Sequence, residues 1–165
     1  YYKKAVPANI SGAWDRSAGA DVMILRYAEV LLTYAEAKIE AGQIDASVYA
    51  AINQVRQRSG VNMIAATAVT HPDQQSLRAL VRRERHVEFP VEDNRLFDIR
   101  RWEIAETVMQ GVAQGIFNDF DATRGDFNNY ITVERRTFNA GRDYLWPIPA
   151  NELNLNKLLT QNNGW

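Results

Sequence analysis

The stretch DVMILRYAEVLLTYAEAKIEAG, residues 21–42, decides the fold class. At 100° per residue, Leu25, Ala28, Leu32, Ala35 and Ile39 fall in one arc, and Gly42 stands where a helix C′ residue belongs. This periodicity predicts a long amphipathic helix starting at Asp21. Downstream, Asp45 or Ser47 is placed to cap a second helix that buries Val48, Ala51, Ile52 and Val55 and ends at Gly60. Two helices joined by so short a connection form an antiparallel hairpin. Asp73 is the expected N-cap of a third helix with Leu77, Leu80 and Val81 on its buried face. Pro90 stops it, because the residue before a proline is pushed out of the α region. A fourth helix, Asn94 to Met109, is expected to bury Phe97, Ile104 and Val108.

Outward from these helices the character changes. Residues 1–20 hold Pro7, Gly12 and Gly19 among polar residues and read as an irregular leading segment. Residues 21–110 are expected to form successive helical hairpins, tetratricopeptide-like although the full consensus is absent. Residues 111–165 are expected to hold loops, a small β element and a tail. There Gly111, Gly115, Gly125, Asn118, Asn128 and Asn129 break any helical period. Ile131 and Val133 alternate with polar residues, as do Tyr144, Trp146 and Ile148 beyond the turn signal at Asn139 to Gly141. The two runs predict a short hairpin closed by Pro147 and Pro149, and Asn151 is expected to cap a last helix through Leu158. The expected class is mainly α, with helical hairpins, a small β-hairpin and an irregular tail.

Composition narrows the function classes. The chain has 165 residues, of which 46% are hydrophobic and 24% charged, the balance of one folded domain or one and a half. Nineteen basic and twenty acidic residues leave a formal charge of −1, which removes the electrostatic case for binding nucleic acid or an anionic membrane surface. No run of 18 apolar residues is present, so no membrane-spanning helix is expected. Tyr1-Tyr2-Lys3-Lys4 is not followed by an apolar core, so no signal peptide is expected either. With no cysteine there are no disulfides, thiolate metal sites or cysteine nucleophiles.

The informative anomaly is where the acids lie. Glu29 and Glu36 project into the arc of Leu25, Leu32 and Ile39, and Glu84 and Glu88 lie within about 40° of Leu77 and Val81. Carboxylates on an apolar stripe cost several kcal/mol unless cations and hydrogen bonds meet them. The chain offers 15 arginines against 4 lysines, and the planar guanidinium is the better partner for a desolvated carboxylate. Arg56 and Arg58 flank the buried face of the second helix, and Arg100 borders that of the fourth. One reading makes a carboxylate pair the acid and base of a glycoside hydrolase. The other makes the acids arginine-locked struts between helices, and it is preferred, because arginine partners lower carboxylate pKa values and a general acid needs the opposite.

Other chemistry is thin. His71 and His86 are the only histidines and form no ligand pair, so no metal is expected from them. Asp119, Asp121 and Thr123 begin like a calcium loop, but Arg124 stands where glycine is required and Tyr130 where a bidentate glutamate belongs. No nucleophile elbow, P-loop or dinucleotide fingerprint occurs. Arg78 to Arg101 holds seven arginines and five acids, an ion-pair lattice rather than a nucleic-acid patch.

Four segments taken in order resemble one family. Arg26-Tyr27-Ala28-Glu29-Val30-Leu31-Leu32-Thr33-Tyr34-Ala35-Glu36-Ala37 is similar to the Arg-x-Ala-Glu-x-x-Leu-x-x-Ala-Glu-Ala helix of the SusD/RagB family, and Asn53 to Val61 resembles its next helix. Glu84-Arg85-His86-Val87-Glu88, then Glu92, Arg95, Asp98 and Arg101-Trp102, is similar to its Glu-Arg-x-x-Glu-x-x-x-Glu-x-x-Arg-x-x-Asp-x-x-Arg-Trp signature. Tyr144 to Pro149, Glu152 and Gln161-Asn162-Asn163-Gly164-Trp165 resemble the closing Pro-Ile-Pro…Glu…Gln-Asn-Pro-Gly-Tyr, with Asn163 and Trp165 replacing its proline and tyrosine.

The resemblance covers the family's C-terminal region and implies a fragment whose N-terminal part, with its lipobox cysteine and lipid anchor, is absent. It implies a surface-exposed lipoprotein of the bacterial outer membrane that captures an oligosaccharide, polysaccharide or other nutrient without catalysis and with no cofactor. Its expected partner is a SusC-like TonB-dependent transporter. The alternative is a helical docking module whose ligand site lies in the missing part. No residue inherits a binding role by motif. A sugar site wants exposed aromatic faces beside amides or arginine, which makes Trp14, Asn128, Asn129 and Tyr130 the candidates in predicted loops. The structural ion pairs are expected among Glu29, Glu36, Arg56, Arg58, Glu84, Glu88 and Arg100.

Overall fold

Helix boundaries follow from local backbone chemistry. In a computed structural model that describes residues 24–58, 60–116, 120–121, 126–127 and 130–165, helix α1 spans Tyr27–Glu40, α2 Ala46–Arg56, α3 Gln74–Glu88 and α4 Asn94–Arg101. α1 closes in a Schellman arrangement, with Gln43 N–H on the Lys38 carbonyl (2.9 Å), Gly42 N–H on that of Ile39 (3.1 Å), and Gly42 at φ +69°. Asp45 caps α2 by accepting from Ser47 N–H. Asp73 and Ser76 cap α3 reciprocally.

Two compact units emerge, one ending at Arg95 and the other beginning at Leu96. In the first, α1, α2 and α3 bury Leu32, Ala35, Ile39, Val48, Ala51, Ile52, Val55, Leu77, Leu80, Val81 and Phe89 in one core. The segment between α2 and α3 folds back onto α2. The Asn53 side-chain amide donates to the Ala66 carbonyl (2.9 Å) and accepts from its N–H (2.7 Å), as a neighbouring strand would. Gln74 ties the start of α3 to the end of α1 through the Ile39 carbonyl (2.6 Å).

The second unit holds a short helix α5 (Ala105–Val108), strands β1 (Gly111–Ile116), β2 (Phe120–Asp121), β3 (Asp126–Phe127) and β4 (Tyr130–Arg136), and α6 (Ala150–Leu155). β1 pairs antiparallel with β4, Gly111 opposite Arg136 and Ile116 opposite Tyr130, and β2 pairs antiparallel with β3. The β1–β4 register shifts between Ala113 and Gln114, so that Val133 is the extra, bulged residue. A Cβ on Gly115 would stand 2.7 Å from Val133 Cγ2, which explains glycine there.

The class is mainly α with a small antiparallel element, as expected, but several boundaries differ. The first helix begins at Tyr27, after an extended Arg26 (φ −144°, ψ 161°), so Leu25 precedes it and is exposed. The fourth helix stops at Arg101 in a second Schellman arrangement, Ile104 N–H on the Ile99 carbonyl and Glu103 N–H on that of Arg100, with Glu103 at φ +51°. α4 accordingly buries Asp98 and Ile99, whereas Phe97 and Val108 are exposed. The expected hairpin is also re-paired: β4 meets β1, and 144–148 is not a strand. Pro147 and Pro149 lack the donors a ladder needs, and the Trp146 and Ile148 carbonyls are taken by the Asn162 and Gln161 side chains. α6 follows Pro149, so Asn151 lies within it rather than at its cap.

Candidate functional site

Two groups of side chains concentrate chemistry, one in each unit. In the first, buried carboxylates face guanidinium groups. Glu84 meets Arg56, whose remaining donors hold the Ile64 carbonyl at 3.0 and 2.8 Å. Glu88 receives Arg58 and also Arg26, at 2.5 Å, and Arg26 binds Glu92 at 2.8 Å. Burial opposes the charge on Arg26, but hydrogen bonds to Glu92 and Glu88 raise its pKa above the ordinary arginine value. Glu36 lies 3.7 Å from Arg85, which also donates to Thr33 Oγ1 at 3.1 Å. Two guanidinium groups lie over the Phe89 ring, Arg26 4.8 Å and Arg85 5.3 Å from its centre. At the edge, Arg78 binds Glu40 at 2.5 Å.

The structure thus brings Glu36, Glu84, Glu88, Arg56 and Arg58 into ion pairs. Glu29 is half-buried in the first turn of α1 and has no ion pair among the described residues. Arg100 likewise has none within 4 Å among the described residues. Sitting in the last turn of α4, it donates to the Tyr144 carbonyl at 2.7 Å and stacks on Trp146 instead. Arginine on these carboxylates locks α1, α2 and α3 together and suits a strut better than a proton donor to substrate.

The second group surrounds residues 144–146. The Tyr144 hydroxyl accepts from Ala105 N–H (3.0 Å) and donates to the Glu106 carboxylate, the leading cause holding that carboxyl below its ordinary range. Phe138 meets the Tyr144 ring edge-on at 4.9 Å. Arg100 lies 4.3 Å over the Trp146 ring, and Arg142 4.8 Å over that of Trp165. The Trp165 indole N–H donates to the Leu145 carbonyl (3.1 Å), and the Asn162 amide donates to that of Trp146 (2.6 Å). Gln161 clamps Ile148 by both backbone groups (2.8 and 3.0 Å). Asp143 binds Arg142 at 2.6 Å and accepts from Asn139 N–H at 2.7 Å. Its carboxyl is held low by Arg142 first, then by the Asn139 N–H, with the nearby charge of Arg100 adding to the effect. Trp146 is 65% exposed and Trp165 48%.

Of the ligand candidates expected from sequence, Trp14, Asn128 and Asn129 lie outside the described residues, and Tyr130 opens β4. The indoles of Trp146 and Trp165 escape a reading by periodicity. Trp146 sits in a run that alternates like a strand, and Trp165 stands in the closing motif. Their one visible signal is aromatic residues flanked by prolines, amides and glycine, where no helix or strand can cover a ring.

The family model described as the SusD family matches residues 1–165. A SusD-like protein, P2, from Formosa agariphila is 30% identical over 168 residues, a match covering 99% of this chain and 29% of that protein. The crystal structure of a SusD-like protein from Bacteroides fragilis superposes with a TM-score of 0.74 at 35% identity, over 88% of this chain and 26% of that one. The chain spans under a third of the length of either relative.

Proposed function

The chain belongs to the SusD family, and on that premise we propose that it takes part in non-catalytic capture of a glycan or other nutrient for import through a SusC-like TonB-dependent transporter. The observation that carries this reading is the family match over all 165 residues. The arginine-locked carboxylates support it, because their guanidinium partners tie them to the helical scaffold and suit them poorly to donate a proton. The setting is the bacterial outer membrane, with the whole protein held at the cell surface as a lipoprotein. No helix among the described residues is long and apolar enough to cross a membrane, which is compatible with anchoring by lipid.

Affinity electrophoresis against plant, host and microbial polysaccharides tests the proposal. Retardation without release of reducing sugar is the expected result, and turnover that disappears in Glu88→Gln would overturn the non-catalytic assignment. A second reading, a docking module whose glycan site lies elsewhere in the protein, is favoured by the chain's spanning only 29% of its curated relative. Capture of a SusC-like barrel with no glycan affinity would select it.

A further inference from the structure

We propose that the exposed indoles of Trp146 and Trp165 form a shelf on which pyranose rings of a neutral glycan stack; this rests on the glycan-capture reading above. Large aromatic rings are costly to leave in water, and these are held in place while Trp146 stays 65% and Trp165 48% exposed. A guanidinium covers one face of each ring, so the exposure falls on the opposite face and the edges. An axial array of sugar C–H groups fits such a face, where apolar area is recovered and the slightly positive hydrogens meet the negative π cloud.

The rings are also fixed before any ligand arrives. Trp165 is held by its indole N–H on the Leu145 carbonyl, and Trp146 by Pro147 after it, Arg100 beneath it and Asn162 on its carbonyl. Binding to rings already immobilised costs little ordering entropy. The Trp165 indole N–H donates to the carbonyl of Leu145, the residue before Trp146, and the Asn162 side chain holds the Trp146 carbonyl, so the two tryptophans neighbour each other in the second unit. Amides border it: Asn162 and Asn163 each use one N–H on a backbone carbonyl, leaving the side-chain carbonyl oxygen to accept from a sugar hydroxyl.

The charges on the shelf are balanced, which selects a neutral ligand. Arg142 is paired with Asp143, and Arg100 lies within the field of the same carboxylate. Asp143 is already engaged by Arg142 and Asn139 N–H, and Glu106 by Tyr144, so the surface offers contact and not hydrolysis.

The test uses the 165-residue chain with xylan, laminarin and pullulan as neutral probes and polygalacturonate as the acidic one. Trp146→Ala and Trp165→Ala should each weaken retardation by a neutral glycan about tenfold, and Trp146→Tyr, which keeps a ring, should retain most of it. Circular dichroism and thermal melts identify any variant that fails to fold. In that event Trp146→Tyr is paired with indole N–H chemical shifts of the wild-type chain, which must move for Trp146 and Trp165 on titration with the retarding glycan. A wild-type chain retarded equally with its Ala variants, or indole signals that do not move, overturns the shelf and leaves glycan capture standing. Retardation by polygalacturonate alone overturns the neutral-ligand assignment. No retardation by any probe overturns the shelf and glycan binding by this chain together.

Discussion

Arg56 faces Glu84 where neither has free access to water, and its other donors are already on the Ile64 carbonyl. Glu84→Gln therefore leaves a buried cation beside a neutral amide, and about 3 kcal/mol of stability should be lost. Urea unfolding would read this as a lower midpoint with an unchanged slope. The double variant R56M/E84L should recover most of the loss, since both desolvation costs disappear together; a midpoint for Glu84→Gln equal to wild type would show the pair to be idle. Asp45 provides the pH-dependent case. Hydrogen bonds from Lys38 first and Ser47 next hold its carboxyl well below the ordinary carboxylate range. Its folded value lies below the unfolded one, about 3.9, so its stabilisation is complete above that pH and is lost as pH falls through the folded value. Asp45→Asn keeps a cap without the charge, so urea midpoints followed down to about pH 2 should fall less steeply than in wild type. Residues of this kind are legible in sequence when the partner is local. Asp45 and Asp73 precede their helices by one position, whereas the choice of Arg26 for Glu88 and Glu92 depends on tertiary placement across more than 60 residues.

The three helices of the first unit follow from apolar spacing and caps, and their ends from Gly42 and Pro90. Reading failed where a terminator carried no recognisable residue. Glu103 takes the left-handed conformation that glycine usually fills, so nothing in the sequence separates α4 from α5. Strand pairing failed for a related reason: alternation marks β4 as extended but does not say which segment it meets. The bulge at Val133 then makes a specific prediction. Gly115→Ala places a methyl group against Val133 Cγ2, and overpacking should destabilise the β1–β4 ribbon by about 1 kcal/mol. Val133→Ala in the same chain should relieve it. Amide hydrogen exchange across residues 111–116 and 130–136 measures both, and equal protection in wild type and Gly115→Ala would show that the ribbon yields freely.

For the whole molecule, the near balance of 19 basic and 20 acidic residues means that no long-range field assists encounter with a ligand. Binding of a neutral polysaccharide should therefore change less than about twofold from low salt to about 0.5 M NaCl, measured as retardation in affinity gels. A steep loss with salt would instead point to an anionic ligand held by arginine. The mainly α class was legible because helical periodicity and capping act over short sequence distances. The candidate shelf was not, because exposure of Trp146 and Trp165 depends on which segments fold over them, and that information is spread from Arg100 to Trp165.

The cations that meet the buried carboxylates of the helical unit are arginines, and the chain has only four lysines. Of these, Lys38 is partly exposed and Lys157 exposed, and no lysine is buried among the described residues. Among the described residues, amine-reactive dyes, acylating reagents and aldehyde fixatives therefore find no buried target and can decorate or immobilise the folded chain at Lys38 and Lys157. Dicarbonyl reagents directed at guanidinium act the other way: each modification of Arg56 or Arg26 removes a strut, so their progress should register as unfolding.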